Sequence, residues 1–161
     1  MLAEWLTGLE ATALARELRG SVWAYPLVNA GHIAGIALLV GSIVPLDLRL
    51  LGVWRSVPLA PLWRVLTRCA GVGLLLAAVF GSLLFITRAT EYAESSLFLA
   101  KMVVVAMATA NALFLLLLSP AGAARAPDGF EPPPRRLRLA ALASLVAWLA
   151  ALTLGRLVGY F

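Results

Sequence analysis

The chain has 161 residues; 62% are hydrophobic and only 13% are charged, against about 25% charged in a soluble domain, which excludes a purely soluble fold. The net charge of +5 does not point to nucleic acid, because the basic residues flank apolar runs, where they meet lipid headgroups and set topology. The one cysteine, Cys69, excludes an intramolecular disulfide and any multi-cysteine metal site.

Residues 1–19 read as an amphipathic helix. Leu2, Trp5, Leu6, Leu9 and Ala13 recur at helical spacing, with Glu4, Glu10, Arg16 and Glu17 elsewhere. Such a helix lies in the membrane interface or caps the protein as a soluble element. The first arginine is Arg16, and the apolar run after it is too long for a signal-peptide core, so no cleavable signal is expected.

Four spanning segments follow, at about 22–44, 65–87, 97–118 and 137–158. Each comes near or above the roughly 20 residues that a helix needs to cross the hydrocarbon core. The first opens with Trp23, Tyr25 and Pro26 and is expected to end at Pro45-Leu-Asp47-Leu-Arg49. The link over 45–64 carries Trp54, Pro58, Pro61 and Trp63 and is apolar enough to lie along the headgroups. The link over 88–96 is short and polar. The link over 119–136, with Pro120, Gly122, Pro127, Gly129 and Pro132-Pro133-Pro134, reads as a loop. The expected architecture is an all-α integral membrane four-helix bundle with an interfacial N-terminal helix, in one domain over residues 1–161.

Orientation follows from the basic residues. Arg49, Arg55, Arg64, Arg68, Arg125, Arg135, Arg136 and Arg138 fall on one side, and Arg16, Arg19, Arg88, Lys101 and Arg156 on the other. Eight against five puts the first and third links in the cytoplasm and both termini outside, in a bacterial cytoplasmic membrane. Small residues mark close helix packing: Gly31 and Gly35 on the first span, and Gly73, Ala77 and Gly81 on the second.

The first span holds the only histidine, His32. An ionisable group at membrane depth is costly unless it is paired or liganded, and by default it marks a functional site. At 100° per residue His32 shares a face with Tyr25, Asn29, Gly35, Leu39 and Ser42, and that face should turn inward; Leu27, Ala34, Ala37 and Gly41 lie opposite. His32 falls about 10 Å below the outer interface. Arg88, Lys101 and Arg156 belong to the same half.

Two ligand readings and a structural one fit this residue. In the first, His32 is an axial ligand of haem b in the bundle, with Arg88, Lys101 and Arg156 neutralising the propionates. In the second, His32 and the thioether of Met107 bind copper; Met107 shares a face with Asn111, which should point inward. In the third, His32 hydrogen-bonds Asn29, Ser82 or a backbone carbonyl and holds helices together. Lys101 either binds an anionic group, pairs with Glu91 or Glu94, or snorkels to the interface. Asn111 reads as an interhelical hydrogen bond, Asp47 and Arg49 as an interfacial charge pair, and Cys69 as a small buried residue. No nucleophile–base triad, Gly-rich phosphate loop or zinc-ligand pair is present.

Several stretches together resemble an uncharacterised group of small bacterial four-helix membrane proteins. They are His32-Ile-Ala-Gly35 with Gly41 and Asp47-Leu-Arg49-Leu-Leu-Gly52, then Gly81-Ser-Leu-Leu-Phe85, Glu91-Tyr92, and Phe98-Leu-Ala-Lys101-Met102 leading to Asn111. They cover about residues 22–118. That group is similar in layout to the copper-resistance D (CopD) membrane proteins, which implies copper handling and, more distantly, a likeness to b-type cytochrome bundles. His32 occupies the first-span histidine of the motif. Some relatives carry a further histidine late in the third span, where this chain reads Asn111-Ala-Leu-Phe-Leu.

The function expected from these readings is a His32-centred site near the outer side, taking haem b or copper for redox or metal handling. The rival expectations are a non-catalytic subunit docked on a larger membrane complex and a small transporter built as a homo-oligomer.

Overall fold

The structure is a computed structural model that describes residues 1–118 and 133–160. Among the described residues it is all-helical. Helix α1 (Leu2–Glu10) and α2 (Ala13–Gly20) replace the single helix expected over 1–19. The break comes at Thr12, whose side chain accepts a hydrogen bond from the Ala15 backbone N–H at 3.3 Å and so caps α2. The spans are α3 (Ala24–Leu51), α4 (Leu59–Phe85), α6 (Ser96–Leu118) and α7 (Arg135–Leu157). A one-and-a-half-turn helix, α5 (Ala89–Glu94), occupies the link expected to be merely polar.

Helix α3 continues past Pro45 to Leu51, about two turns beyond the expected span of 22–44. Proline removes a single intrahelical hydrogen bond, and burial of Leu46 and Leu50 offsets that loss. The helix stops at Gly52, whose φ of +106° is the left-handed C-cap that glycine adopts without strain. Helix α4 starts at Leu59 because Pro61 falls in its first turn, where no N–H is needed. The expected headgroup-lying link of 45–64 therefore shrinks to 52–58. Most of the link over 119–136 lies outside the described residues; Arg135 and Arg136 begin α7.

All four spans are long and apolar enough to cross a membrane. They expose apolar side chains outward, among them Leu75, Val79, Val103, Leu113 and Val146. In water so broad a belt would drive aggregation; in a bilayer it is the lipid-facing surface. The protein is a multi-pass membrane four-helix bundle.

Helix α3 packs on α4 along its first face and on α7 along another, and α6 packs on α7. The α3–α4 seam is built from glycines. A Cβ on Gly35 would sit 2.5 Å from the Ala77 backbone nitrogen, and one on Gly31 would sit 2.7 Å from the Phe80 ring. Helices α4 and α6 share little backbone contact. Leu39 and Ile43 of α3, Ala108 of α6, and Trp148 and Ala151 of α7 form the apolar core, with Ala70, Leu74, Val104 and Val105 packed against it.

One end of the bundle, the cap end, gathers the start of α3, the ends of α4 and α7, the start of α6, and α1, α2 and α5. Arg19 donates to the Thr87 carbonyl at 2.8 Å and to the Glu10 carbonyl at 2.6 Å, tying α1 and α2 to the end of α4. The Glu10 carboxylate accepts from the Thr90 backbone N–H at 2.8 Å and from the Thr90 hydroxyl. These bonds hold the Glu10 carboxyl below the usual carboxylate range.

Candidate functional site

His32 lies half-buried on the face of α3 that meets α4. Its Nδ1 is 2.8 Å from the Ala77 carbonyl oxygen. A carbonyl only accepts, so Nδ1 carries the hydrogen and donates it. In the neutral ring Nε2 then presents its lone pair, and no partner occupies it among the described residues. The ring rests on Gly81: a Cβ there would lie 2.9 Å from Cε1 and 3.1 Å from Nδ1. Glycine at 81 is thus the reason that the imidazole can reach the Ala77 carbonyl one turn earlier. The backbone-carbonyl bond expected of a structural histidine is present, and it leaves the second nitrogen unused.

The face expected to turn inward does so in part. Gly35, Leu39 and Ser42 are buried, and Leu27, Ala34, Ala37 and Gly41 are exposed as expected. Asn29 and Tyr25, above His32, are exposed instead, so the polar face opens toward the cap end.

Lys101 of α6 is half-buried, and its charge acts on the His32 ring. Its stem lies across α7 at Gly155, where a Cβ would be 3.6 Å from Cε, and its Nζ stands 5.8 Å from the Phe98 ring centroid. No carboxylate pairs with it among the described residues, so neither Glu91 nor Glu94 takes the pairing that the sequence allowed. The other two expected cations do not converge on His32. Arg88 is exposed and bonds Glu91 at 3.4 Å. Arg156 donates to the Tyr160 hydroxyl and stacks on that ring, with Cζ 4.5 Å from its centroid.

Sequence reading missed the aromatic roof beside this pair. Phe85, Tyr92 and Phe98 stack with centroids 5.1–6.2 Å apart, and Tyr25 lies beside Tyr92. Burial pushes the Tyr92 phenol above its ordinary value, so it remains a neutral hydroxyl. The available signal was the placement of three aromatics at the ends of α4 and α6 and on the link between them.

Met107 is a correction. Its side chain is 57% exposed on the lipid-facing surface, not turned inward with Asn111. Helical spacing sets both on one face, but Asn111 reaches α7 instead, donating from Nδ2 to the Ala140 carbonyl at 3.0 Å. Met107 is therefore not presented to His32 within one copy of the chain. Among the described residues no three His, Cys, Asp or Glu side chains gather as a metal site.

Asp47 and Arg49 are also corrected. Side chains two apart on a helix do not face each other, and no ion pair joins these two among the described residues. Arg49 is buried and donates to the Val57 carbonyl from Nε at 2.8 Å and to the Arg55 carbonyl from Nη2 at 3.3 Å, shaping the turn after α3. Asp47 turns toward α7, where Ser144 lies against it. Cys69 is partly buried on α4, near its expected role.

Compared with known proteins, the chain matches no family model, no curated protein and no solved structure. The site's own geometry is therefore what bears on function.

Proposed function

We propose that this membrane protein binds haem b through His32 Nε2, on the side of the bilayer that the cap end faces, and serves redox or metal handling there. The observation that carries the reading is the Nδ1–H bond to the Ala77 carbonyl. A histidine ligand almost always donates its other ring N–H to a carbonyl or carboxylate, which fixes the tautomer and raises the basicity of the free nitrogen.

The number of donors favours haem over copper. Haem brings four nitrogens of its own and asks the protein for one axial ligand. Copper held by side chains needs at least a second donor, and Met107 points to lipid. Lys101, an ammonium half-buried beside the imidazole and without a carboxylate partner among the described residues, suits a propionate. Arg88 and Arg156 are engaged by Glu91 and Tyr160 and are secondary. The α3–α4 seam is closed by glycine contacts too tight for a macrocycle, so the group would enter from the looser α4–α6 side, under the Phe85, Tyr92 and Phe98 roof. Bound there, haem would supply a one-electron centre.

The test is an absorption spectrum of the full chain purified after haem-replete expression. Wild type should show a Soret band, His32→Ala should lack it, and Lys101→Gln should retain it with weaker haem retention. A colourless wild type would sink the proposal, and so would an unchanged band in His32→Ala.

A further inference from the structure

Among the described residues two buried side-chain polar atoms have no hydrogen-bond partner: Asp47 Oδ2 on α3 and Trp148 Nε1 on α7. Their residues are 2% and 4% exposed. The other buried polar groups nearby are satisfied: Ser42 donates to the Leu38 carbonyl at 2.7 Å, and Arg49 bonds the carbonyls of the following turn. Unpartnered buried polar atoms are rare in folded proteins, and each calls for a specific cause.

The two orphans are complementary. An indole N–H can only donate, and a carboxylate oxygen can only accept. They also approach one layer from opposite directions. Side chains on a helix lean toward its N-terminus. Helices α3 and α7, the first and fourth spans, run antiparallel, so Asp47 leans toward the cap end and Trp148 away from it. Ser144, one turn before Trp148, lies against Asp47. Ile43, one turn before Asp47, packs in the same apolar cluster as Trp148. Yet the indole and the carboxyl make no direct bond.

We propose that the α3–α7 seam holds a second binding site, in the half of the membrane away from the cap, that takes one water-sized molecule bridging Trp148 Nε1 and Asp47 Oδ2. The occupant accepts from the indole and donates to the carboxyl, with the Ser144 hydroxyl as a third neighbour. Water makes about three such bonds when buried. A bare cation would satisfy the carboxylate and leave the indole unpaired, and an anion would do the reverse. The apolar layer of Leu39, Ile43, Ala108 and Ala151 separates this site from His32, so it stands independently of the haem reading.

The experiment is nuclear magnetic resonance on the full chain in lipid nanodiscs with nitrogen-15 tryptophan. Replacing Trp5, Trp23, Trp54 and Trp63 by Phe, one at a time, identifies the Trp148 indole by elimination without touching the seam. That indole proton should show direct magnetisation transfer from water although its residue is buried. Asp47→Leu should abolish the transfer, and Asp47→Asn should shift the resonance while keeping it. A wild-type Trp148 indole without water contact, or contact that survives Asp47→Leu, would overturn the site. A resonance that moves when choline replaces sodium at constant ionic strength would overturn the choice of occupant and assign a cation instead.

Discussion

At the scale of single residues, the seam between α3 and α4 separates glycines by what their missing Cβ would strike. At Gly35 the obstacle is backbone, the Ala77 nitrogen at 2.5 Å, which cannot move without parting the helices. At Gly81 it is the His32 ring at 2.9 Å, which can rotate away. At Gly41 nothing lies within 4 Å. Gly35→Ala should therefore destabilise the bundle by about 1–3 kcal/mol, the usual cost of overpacking. Gly81→Ala should cost less, but it should dislodge the imidazole from the Ala77 carbonyl and, on the haem proposal, weaken the Soret band as His32→Ala should. Gly41→Ala should be neutral or stabilising by up to about 1 kcal/mol, from helix propensity. Thermal unfolding in one detergent ranks the three; a Gly35→Ala variant as stable as Gly41→Ala would contradict the close-packed seam. The glycine spacing was legible in the sequence because small residues at i and i+4 serve one purpose in a bilayer. The tautomer of His32 was not, since it depends on which carbonyl the partner helix offers.

At the scale of elements, the cap hangs on few bonds, and one of them titrates. Glu10 of α1 holds the start of α5 through the Thr90 N–H and hydroxyl, and these bonds depress its pKa. A carboxyl whose folded pKa is lowered contributes stability above its unfolded value, and that contribution is lost as pH falls through the folded value. Docking of α1 and α2 should thus persist at neutral pH and loosen below the ordinary carboxylate range. Protection of residues 1–20 from hydrogen exchange, taken against the intrinsic exchange rate at each pH, should fall there in wild type. In Glu10→Gln that protection should be lower already at neutral pH and flat across the same interval. Equal protection of both proteins at neutral pH would show that Glu10 does not hold the cap. Element boundaries were the least legible part of the fold. Pro45 read as a stop because the sequence shows the lost N–H but not the burial of Leu46 and Leu50 that outweighs it. Thr12 broke the N-terminal helix for the opposite reason: an N-cap hydroxyl inside an apolar periodicity is easily passed over. Asp47 was misassigned by adjacency in sequence, since its neighbour in space is on α7, about a hundred residues away.

At the scale of the whole molecule, an even number of spans puts both ends of the described chain on the cap side, and lipid fixes which way that side faces. The basic count is eight against five, with the excess opposite the cap. Short-loop Lys and Arg resist translocation, so the cap end should face outward. Three of the eight, Arg135, Arg136 and Arg138, begin α7 and are exposed. Replacing them with Gln leaves five on each side and removes the bias. A reporter fused to the C-terminus should read outside in the wild-type protein and become mixed in the triple variant. The same change should leave the apolar core and the His32 face untouched, because none of the three contributes to either. A cytoplasmic reporter in wild type would invert the orientation and move His32 to the inner leaflet. On the haem proposal the group would then meet cytoplasmic reductants rather than the outer compartment, so orientation would decide its redox partners.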